Sequence, residues 1–250
     1  MRFRTHMLAA QGDANLFLWA WWHLARVLRA SCDPFVTDGI FYPVGVDLAF
    51  HTIAPLSLAL IWPVEWVAGV TAAVNVNQLV AAFLSATGSY FLAYRVCGNR
   101  GAALVAGVAF ACVPYRFVHL GGHFNLIHAE VLPLGVLAFL RFRERGSPLS
   151  GLVLGLALAA AFLVDVQYAV MIGIAFGVLA MSLGIGAMTW RGVLLAFCGA
   201  VLVASPMLVP MARAAARGEL QPPVGWGGAD IWSADPLTWI VPPETHPIWG

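Results

Sequence analysis

Residues 71–101, TAAVNVNQLVAAFLSATGSYFLAYRVCGNRG, decide the fold of this chain. Residues 71–94 carry no charged side chain, and a run of about 20 apolar residues is long enough to cross a bilayer core as a helix. Arg95 and Arg100 then flank a short turn, after which a second apolar run begins. Two long apolar segments joined by a charged turn predict a transmembrane helical hairpin.

The composition assigns the whole chain to the same class. Of its 250 residues, 61% are hydrophobic and 10% are charged, and the mean hydropathy is +0.83. Soluble domains carry about 25% charged residues. The sequence therefore predicts an all-α integral membrane protein, a polytopic bundle of transmembrane helices. A formal net charge of +1 gives no support for nucleic-acid binding.

Six segments are long and apolar enough to be membrane spans: residues 71–95, 101–118, 126–141, 149–164, 167–187 and 192–212. Residues 52–69 are ambiguous because Pro55, Pro63 and Glu65 interrupt them. A re-entrant or interfacial helix competes there with a full span. The predicted architecture is about six spans plus interfacial or re-entrant helices in an outer loop.

Arginine-rich turns assign the two faces of the predicted bundle. Arginines occur in RVCGNRG (95–101), RFRERG (141–146) and TWRG (189–192), and positive residues in short loops mark the cytoplasmic side. Of the 12 acids only Glu144 falls in these turns, and none of the seven histidines does. We therefore expect the chemistry on the non-cytoplasmic face of a plasma (inner) membrane.

The sidedness divides the chain into three parts. We expect an outer loop with membrane-lying helices over residues 1–70, the transmembrane bundle over 71–212, and a truncated outer loop over 213–250. A helix is predicted over 14–29. Its tryptophans and arginines are typical of a helix that lies at the membrane interface.

Two acids of the first outer loop are candidate catalytic residues. Asp13 directly precedes the tryptophan-rich helix, where its carboxylate caps that helix, acts as a general base, or does both. Asp38 is followed by Gly39, and turn formation alone would also explain that dipeptide. His51 precedes the proline-broken segment and is a candidate for lining the same pocket.

The stretch PYRFVHLGGHFNLIHAE (114–130) concentrates cationic and histidine side chains at one helix end. Arg116, His119 and His123 are candidates for binding an anionic lipid head group. With His128, the two other histidines are also a candidate metal site, although spacings of four and five residues match no specific zinc motif. Interfacial histidines without a special role are the third alternative.

Two further pairs of side chains lie near predicted helix ends. Asp165 and Tyr168 occur in LVDVQYAV (163–170). An acid at membrane depth is usually functional or paired, with helix capping as the main alternative. Arg213 and Arg217 are four residues apart and hence on one helix face. Either they bind an anion such as phosphate, or they are interfacial arginines whose side chains extend to the membrane surface.

Four stretches of the chain form a recognisable set: GDANLFLWAWW (12–22), PFVTDGIFYPVGVDLAFHTIAPL (34–56), YRVCGNRGAALVAGVAFACVPYRFVHLGGHFNLIHAEVLPL (94–134) and SADPLTWIVPPETHPIWG (233–250). Together they resemble polytopic membrane glycosyltransferases of the GT-C type. More narrowly, they resemble bacterial and archaeal members with a GDA-type acid and a TD-FYP-G stretch in the first outer loop. The resemblance covers nearly the whole chain and is specific as a set of motifs.

The resemblance implies an activity and residue roles. GT-C enzymes transfer a sugar from a polyprenyl-phosphate carrier on the non-cytoplasmic face, so the implied partners are that sugar donor and membrane lipid. By similarity, Asp13 is the general base that activates the acceptor hydroxyl, and Asp38 binds sugar, acceptor or a divalent cation. The family normally has a span directly before the first acid. Because residues 1–11 are too short and polar to provide it, we expect a fragment of a longer protein.

Two other functions are compatible with the sequence. A transporter or flippase for a lipid-linked or anionic solute would place polar groups near the bilayer midplane, where Asn75, Asn77 and Gln78 come nearest to qualifying. A non-catalytic scaffold or an inactive fragment is the third hypothesis. Because the acids gather at one predicted mouth of the bundle, the sequence favours a glycosyltransferase.

Overall fold

The structure, a computed structural model, describes residues 3–8, 12–30, 32–219 and 241. Most of these residues are helical, and the two strands are two residues long each. The elements are α1 (Ala14–Arg29), β1 (Val36–Thr37), β2 (Val46–Asp47), α2 (Pro55–Ala68), α3 (Val70–Cys97), α4 (Arg100–Ala111), α5 (Pro114–Leu120), α6 (Val131–Arg145), α7 (Pro148–Val164), α8 (Val166–Leu183) and α9 (Trp190–Ala216). The all-α prediction is confirmed.

Four helical segments are long and apolar enough to cross a membrane: Val70–Cys97, Arg100–Leu120, Val166–Leu183 and Trp190–Ala216. The second comprises α4 and α5. These two helices are separated at Cys112 and Val113, immediately before Pro114, because the residue before a proline disfavours the helical conformation. The chain is thus an integral membrane protein, as its composition predicts.

Two of the six expected spans form helices shorter than 18 residues, the length of the shortest of these four segments. Residues 126–141 and 149–164 correspond to α6, with 15 residues, and α7, with 17 residues. At 1.5 Å per residue α6 is only about 22 Å long, against a bilayer core of about 30 Å. It begins later than predicted because residues 121–130 form turns whose side chains join a buried polar network, described below.

The ambiguous segment 52–69 forms α2, a helix of 14 residues. Pro55 lies at its first turn, and Pro63 lies inside it, where a proline removes one backbone hydrogen bond. A helix of this length spans about 21 Å, less than the bilayer core. The length favours the re-entrant or interfacial alternative over a full span.

The three arginine-rich turns meet at one end of the bundle, here called the arginine end (residues 95–100, 141–147 and 184–191). Arg95 at the end of α3 forms an ion pair with Glu144 at the end of α6. Arg143 donates hydrogen bonds to the carbonyls of Leu183 and Gly184, after α8. The alternation of spans predicted from these turns is therefore consistent with their positions.

The α7 and α9 helices approach each other closely at small residues. A Cβ atom added to Gly151 would lie 2.2 Å from the carbonyl oxygen of Gly192, and one added to Gly155 would lie 2.1 Å from that of Ala196. Only glycines on α7 permit this distance. Backbone contact at small residues is a common way for helices to associate in membranes, where no hydrophobic effect drives them together.

Helix α1 lies on a cluster of aromatic residues that positions the candidate site. Phe17 and Trp21 are buried and contact the ring of Phe124, with centroid distances of 5.8 and 5.9 Å. The indole Nε1 of Trp21 donates a hydrogen bond to the carbonyl of Ile53, 3.0 Å away. These contacts join α1 both to the turn after α5 and to the segment before α2.

The chain divides into two compact units, Met1–Ala212 and Arg213–Gly250. The first unit contains the helices of the bundle together with α1, α2 and the β1–β2 hairpin. In the second unit the structure describes residues 213–219 and Val241. The rest of the predicted outer loop, including nearly all of the 233–250 motif, lies outside the described residues.

Candidate functional site

Asp13 and His123 face each other at the end of the bundle opposite the arginine end. Asp13 Oδ2 lies 3.5 Å from His123 Nε2, and the two side chains are 59% and 49% exposed. The packing of Phe124 against α1 brings them together, because it fixes the neighbouring His123 above the first turn of that helix. An acid and an imidazole open to solvent can exchange protons with a bound ligand.

The Asp13 carboxylate is not used for helix capping. It occupies the N-cap position of α1, but no hydrogen bond joins its side chain to the first amides of that helix. The backbone carbonyl of Asp13 accepts from Leu16 and Phe17 at 2.9 and 3.2 Å. Of the two alternatives considered for Asp13, side-chain capping is therefore wrong, and the carboxylate is left to face His123.

Aromatic and histidine rings continue from this pair. The ring of His119 packs edge-on against His123, with centroids 5.1 Å apart, and against Tyr115 at 4.2 Å. The Tyr115 hydroxyl lies 3.4 Å from that of Tyr168, which donates to the carbonyl of Leu126 at 2.5 Å. The predicted residues His119, His123 and Tyr168 thus belong to one continuous row beside Asp13.

Arg116 lies in a buried network instead of on the open surface. It is 2% exposed, and its Nη1 donates to the carbonyls of Ala81 and Ile127 and to the hydroxyl of Ser85, at 3.1, 2.7 and 2.6 Å. The Ser85 hydroxyl also donates to Glu130 Oε2, 3.2 Å away. Arg116 therefore supports the α3–α5 contact and does not face Asp13.

The same network continues through His128. Its Nδ1 lies 2.6 Å from Glu130 Oε1, and its Nε2 lies 3.0 Å from Asn77 Oδ1. His128 is fully buried, whereas His123 is half-exposed beside Asp13 and His119 packs against His123. Among the described residues no three or more His, Cys, Asp or Glu side chains converge as metal ligands. The three-histidine metal site is therefore not formed.

Asp165 caps the helix that follows it. Its Oδ1 accepts from the Gln167 amide at 2.7 Å and its Oδ2 accepts from Asn125 Nδ2 at 2.5 Å. The alternative of helix capping thus describes this carboxylate. Asn125 lies two residues after His123, so its bond to Asp165 also holds the histidine-bearing turn against the start of α8.

His51 and Asp165 line one cavity of about 310 Å³. The walls include Phe162, Met207 and Met211 from α7 and α9. Burial lowers the pKa of His51 below its ordinary value of 6.5, because an imidazolium is poorly solvated there.

Asp38 belongs to the β1–β2 hairpin. It is exposed at the end of β1, which pairs with β2 in an antiparallel hairpin where Val36 is opposite Asp47. Within the described part of the chain, no hydrogen bond or ion pair joins Asp38 to Asp13 or His123. Its assignment as a second catalytic or cation-binding acid stays a prediction.

Arg213 and Arg217 belong to the second compact unit. The Arg217 guanidinium binds the Glu219 carboxylate through two bonds, Nε to Oε1 at 2.5 Å and Nη2 to Oε2 at 3.0 Å. This pairing lowers the pKa of Glu219. Anion binding by the two arginines stays a prediction.

These networks also include Tyr115, Ser85 and Asn125, which were not predicted from the sequence. A pattern could have revealed Ser85. Asn77, Ala81 and Ser85 follow one another at intervals of four residues, so the polar side chains of Asn77 and Ser85 lie on one face of an apolar helix.

Comparison with protein-family models, curated proteins and solved structures finds no match to the chain.

Proposed function

We propose that the chain is a membrane glycosyltransferase that moves a sugar from a polyprenyl-phosphate carrier to an acceptor hydroxyl on the non-cytoplasmic face. The observation that carries the proposal is the pairing of Asp13 with His123 at the end opposite the arginine turns. The resemblance of the motifs around Asp13 to GT-C enzymes supports the same activity. The carboxylate is exposed enough to meet a substrate and makes no capping bond.

The proposed reaction requires one proton acceptor and one stabilised leaving group. Asp13 takes the proton of the acceptor hydroxyl while the oxygen of that hydroxyl attacks the anomeric carbon of the donor sugar. The bond from that carbon to the phosphate oxygen breaks, and polyprenyl phosphate leaves with the bonding electron pair. His123 and His119 lie beside Asp13 and can donate hydrogen bonds to the phosphate oxygens as charge develops there.

The helix next to Asp13 is suited to a substrate held in the membrane. Trp22 and Leu28 of α1 are 48% and 45% exposed, and the guanidinium of Arg26 lies 5.3 Å from the Trp22 ring. Exposed tryptophan and arginine on one amphipathic helix are typical of an element lying in the membrane interface. A lipid carrier bound along such a helix would present its head group at the same depth as Asp13.

Substitution of Asp13 by Asn tests the proposal. Loss of a general base lowers a rate about 10²–10⁴-fold, so we expect this loss in sugar transfer from a polyprenyl-phosphate donor to endogenous acceptors in isolated membranes. Asp33→Asn is the matched control, because Asp33 is an exposed acid of the same loop whose side chain only accepts from the Phe35 amide. Equal transfer by the Asp13 variant and wild type would refute the assignment.

A transporter of lipid-linked or anionic solutes is the second candidate function. It is favoured by the buried row Asn77, His128, Glu130, Ser85 and Arg116, since ionisable groups inside a membrane bundle often mark a solute or proton path. Solute efflux from proteoliposomes would support this candidate if Glu130→Gln abolished it while Asp13→Asn left it unchanged. The glycosyltransferase proposal predicts instead that Asp13→Asn lowers sugar transfer in transfer assays.

A further inference from the structure

The cavity beside His51 has the features of a ligand site that is separate from the Asp13–His123 pair. Its volume is about 310 Å³, and small-molecule sites range from about 300 to 1,000 Å³. Phe162, Leu163 and Val164 at the end of α7 form one wall, and Phe50 and Ile53 form another. A cavity of this size with mainly apolar walls fits one short chain or a compact hydrophobic group.

The cavity lining also includes polar side chains, those of His51, Thr52, Asp165 and Gln167. In the described structure His51 Nε2 is buried without a hydrogen-bond partner, and a buried polar atom left in this way is unfavourable unless a ligand or water completes it. The lining therefore offers a ring nitrogen, a hydroxyl, an amide and a carboxylate to a polar head group.

The charges of the lining exclude an anionic head group. Among the described residues no arginine or lysine lines the cavity, and the one charged group there is the Asp165 carboxylate, which would repel a phosphate or carboxylate ligand. His51 adds no positive charge near neutral pH, since burial lowers its pKa. A hydroxyl, by contrast, can both donate to and accept from groups of this kind.

We propose that this cavity binds an uncharged amphiphile, an apolar chain ending in one or more hydroxyl groups, with the hydroxyl at His51. Met207 and Met211 supply flexible side chains that adapt to such a chain. The site does not depend on the proposed glycosyl transfer, because binding is measured without any sugar donor.

Photolabelling of the protein in nanodiscs tests the proposal. The probe is hexadecanol carrying a diazirine in its chain, and labelled peptides are identified by mass spectrometry. We expect labelling of residues 162–167, at the junction of α7 and α8, and of residues 207–211 in α9. Excess unlabelled monoacylglycerol should reduce it at least tenfold, whereas hexadecyl phosphate at equal concentration should not.

Two variants and their controls make the result decisive. Met207→Trp fills the cavity and should reduce the labelling about tenfold, while Met171→Trp places the same bulk on a side chain of α8 that is 54% exposed and should not. His51→Leu removes the ring nitrogen, with exposed His6→Leu as its control. Displacement by hexadecyl phosphate, or labelling unchanged by Met207→Trp in protein that elutes as wild type, would overturn the proposal.

Discussion

Burial separates the charged side chains of this protein into two kinds. Asp13 and His123 are each about half exposed and bond mainly to each other. Arg116 and Glu130 are 2% and 5% exposed and are joined through Ser85. An exposed pair can change partners when a substrate binds, whereas a buried network loses stability if any member is removed. The first pair is suited to chemistry and the second network to holding the helices.

Arg116→Met should destabilise the protein without a direct effect on the exposed pair. The substitution removes three buried hydrogen bonds and leaves Glu130 without a nearby positive charge. Removing one member of a buried charge network costs about 3–5 kcal/mol. Unfolding in mixed detergent micelles, followed by tryptophan fluorescence, measures the loss. Arg100→Met, at an exposed position, is the control; equal stability of the two variants would contradict the prediction.

His51 should make the stability of the protein depend on pH. Its folded-state pKa lies below the ordinary 6.5, so on acidification the unfolded chain takes up a proton more readily than the native state does. Stability should therefore fall as the pH decreases through about 6.5. We expect His51→Gln to show a smaller drop in the thermal midpoint between pH 8 and pH 5, and His6→Gln to behave as wild type does.

The residue types of the site were predictable from the sequence, but their partners were not. Asp13, His119 and His123 stand out because charged and histidine residues are few in an apolar chain. Which histidine faces the acid depends on the Phe124 ring packing under α1, a contact between residues more than a hundred positions apart. Sequence spacing likewise cannot show that His128 bonds to buried Asn77 whereas His123 faces Asp13.

At the scale of elements, glycine spacing on α7 determines how closely α9 can pack. Gly151 and Gly155 lie four residues apart on one face of α7 and contact backbone carbonyls of α9. Any side chain at these positions would therefore separate the two helices.

Gly155→Ala should destabilise the bundle, and Gly173→Ala should not. The added methyl group would lie 2.1 Å from the Ala196 carbonyl oxygen in the first variant, whereas nothing lies within 4 Å of it in the second. Overpacking of this kind costs about 1–3 kcal/mol. Because both variants change glycine to alanine within a helix, the gain in helix propensity cancels in their difference. Thermal midpoints in detergent measure that difference, and equal midpoints would show that α7 and α9 are not in backbone contact.

Apolar runs predicted the helices well but not always their ends. The spans around 71–95 and 192–212 correspond to α3 and α9 within a few residues. The helix predicted over 126–141 began too early. Leu126 and Ile127 are apolar but pack in a turn, where the Leu126 carbonyl accepts a hydrogen bond from the Tyr168 hydroxyl. Hydropathy reports burial in either case and does not distinguish a membrane span from a turn buried under α8.

At the scale of the whole bundle, the two ends differ in chemistry. The arginine end contains Arg95, Glu144 and Arg143, which close the turns between helices. The opposite end contains the Asp13–His123 pair and the His51 cavity. The proposed reaction needs this second end to face away from the cytoplasm, where GT-C enzymes find their lipid-linked donors.

Native cysteines at the two ends allow the orientation to be measured. Cys32 and Cys97 are both exposed, and each thiol lies near a backbone carbonyl, of Ala30 at 3.6 Å and of Asn99 at 3.7 Å. Cys97 adjoins the arginine turn after α3, and Cys32 lies in the loop between Asp13 and Asp38. Their similar surroundings make them a matched pair for a membrane-impermeant maleimide, once the other cysteines are replaced by alanine.

We expect intact cells to label the Cys32-only protein and not the Cys97-only protein. Positive residues in short loops stay cytoplasmic, and α3 is long enough to separate the two thiols by one membrane crossing. Both proteins should react after the membrane is opened with detergent, which controls for burial of either thiol. The reverse pattern would place Asp13 in the cytoplasm and refute the proposed reaction on the outer face. Labelling of both thiols in intact cells would show that α3 does not cross the membrane.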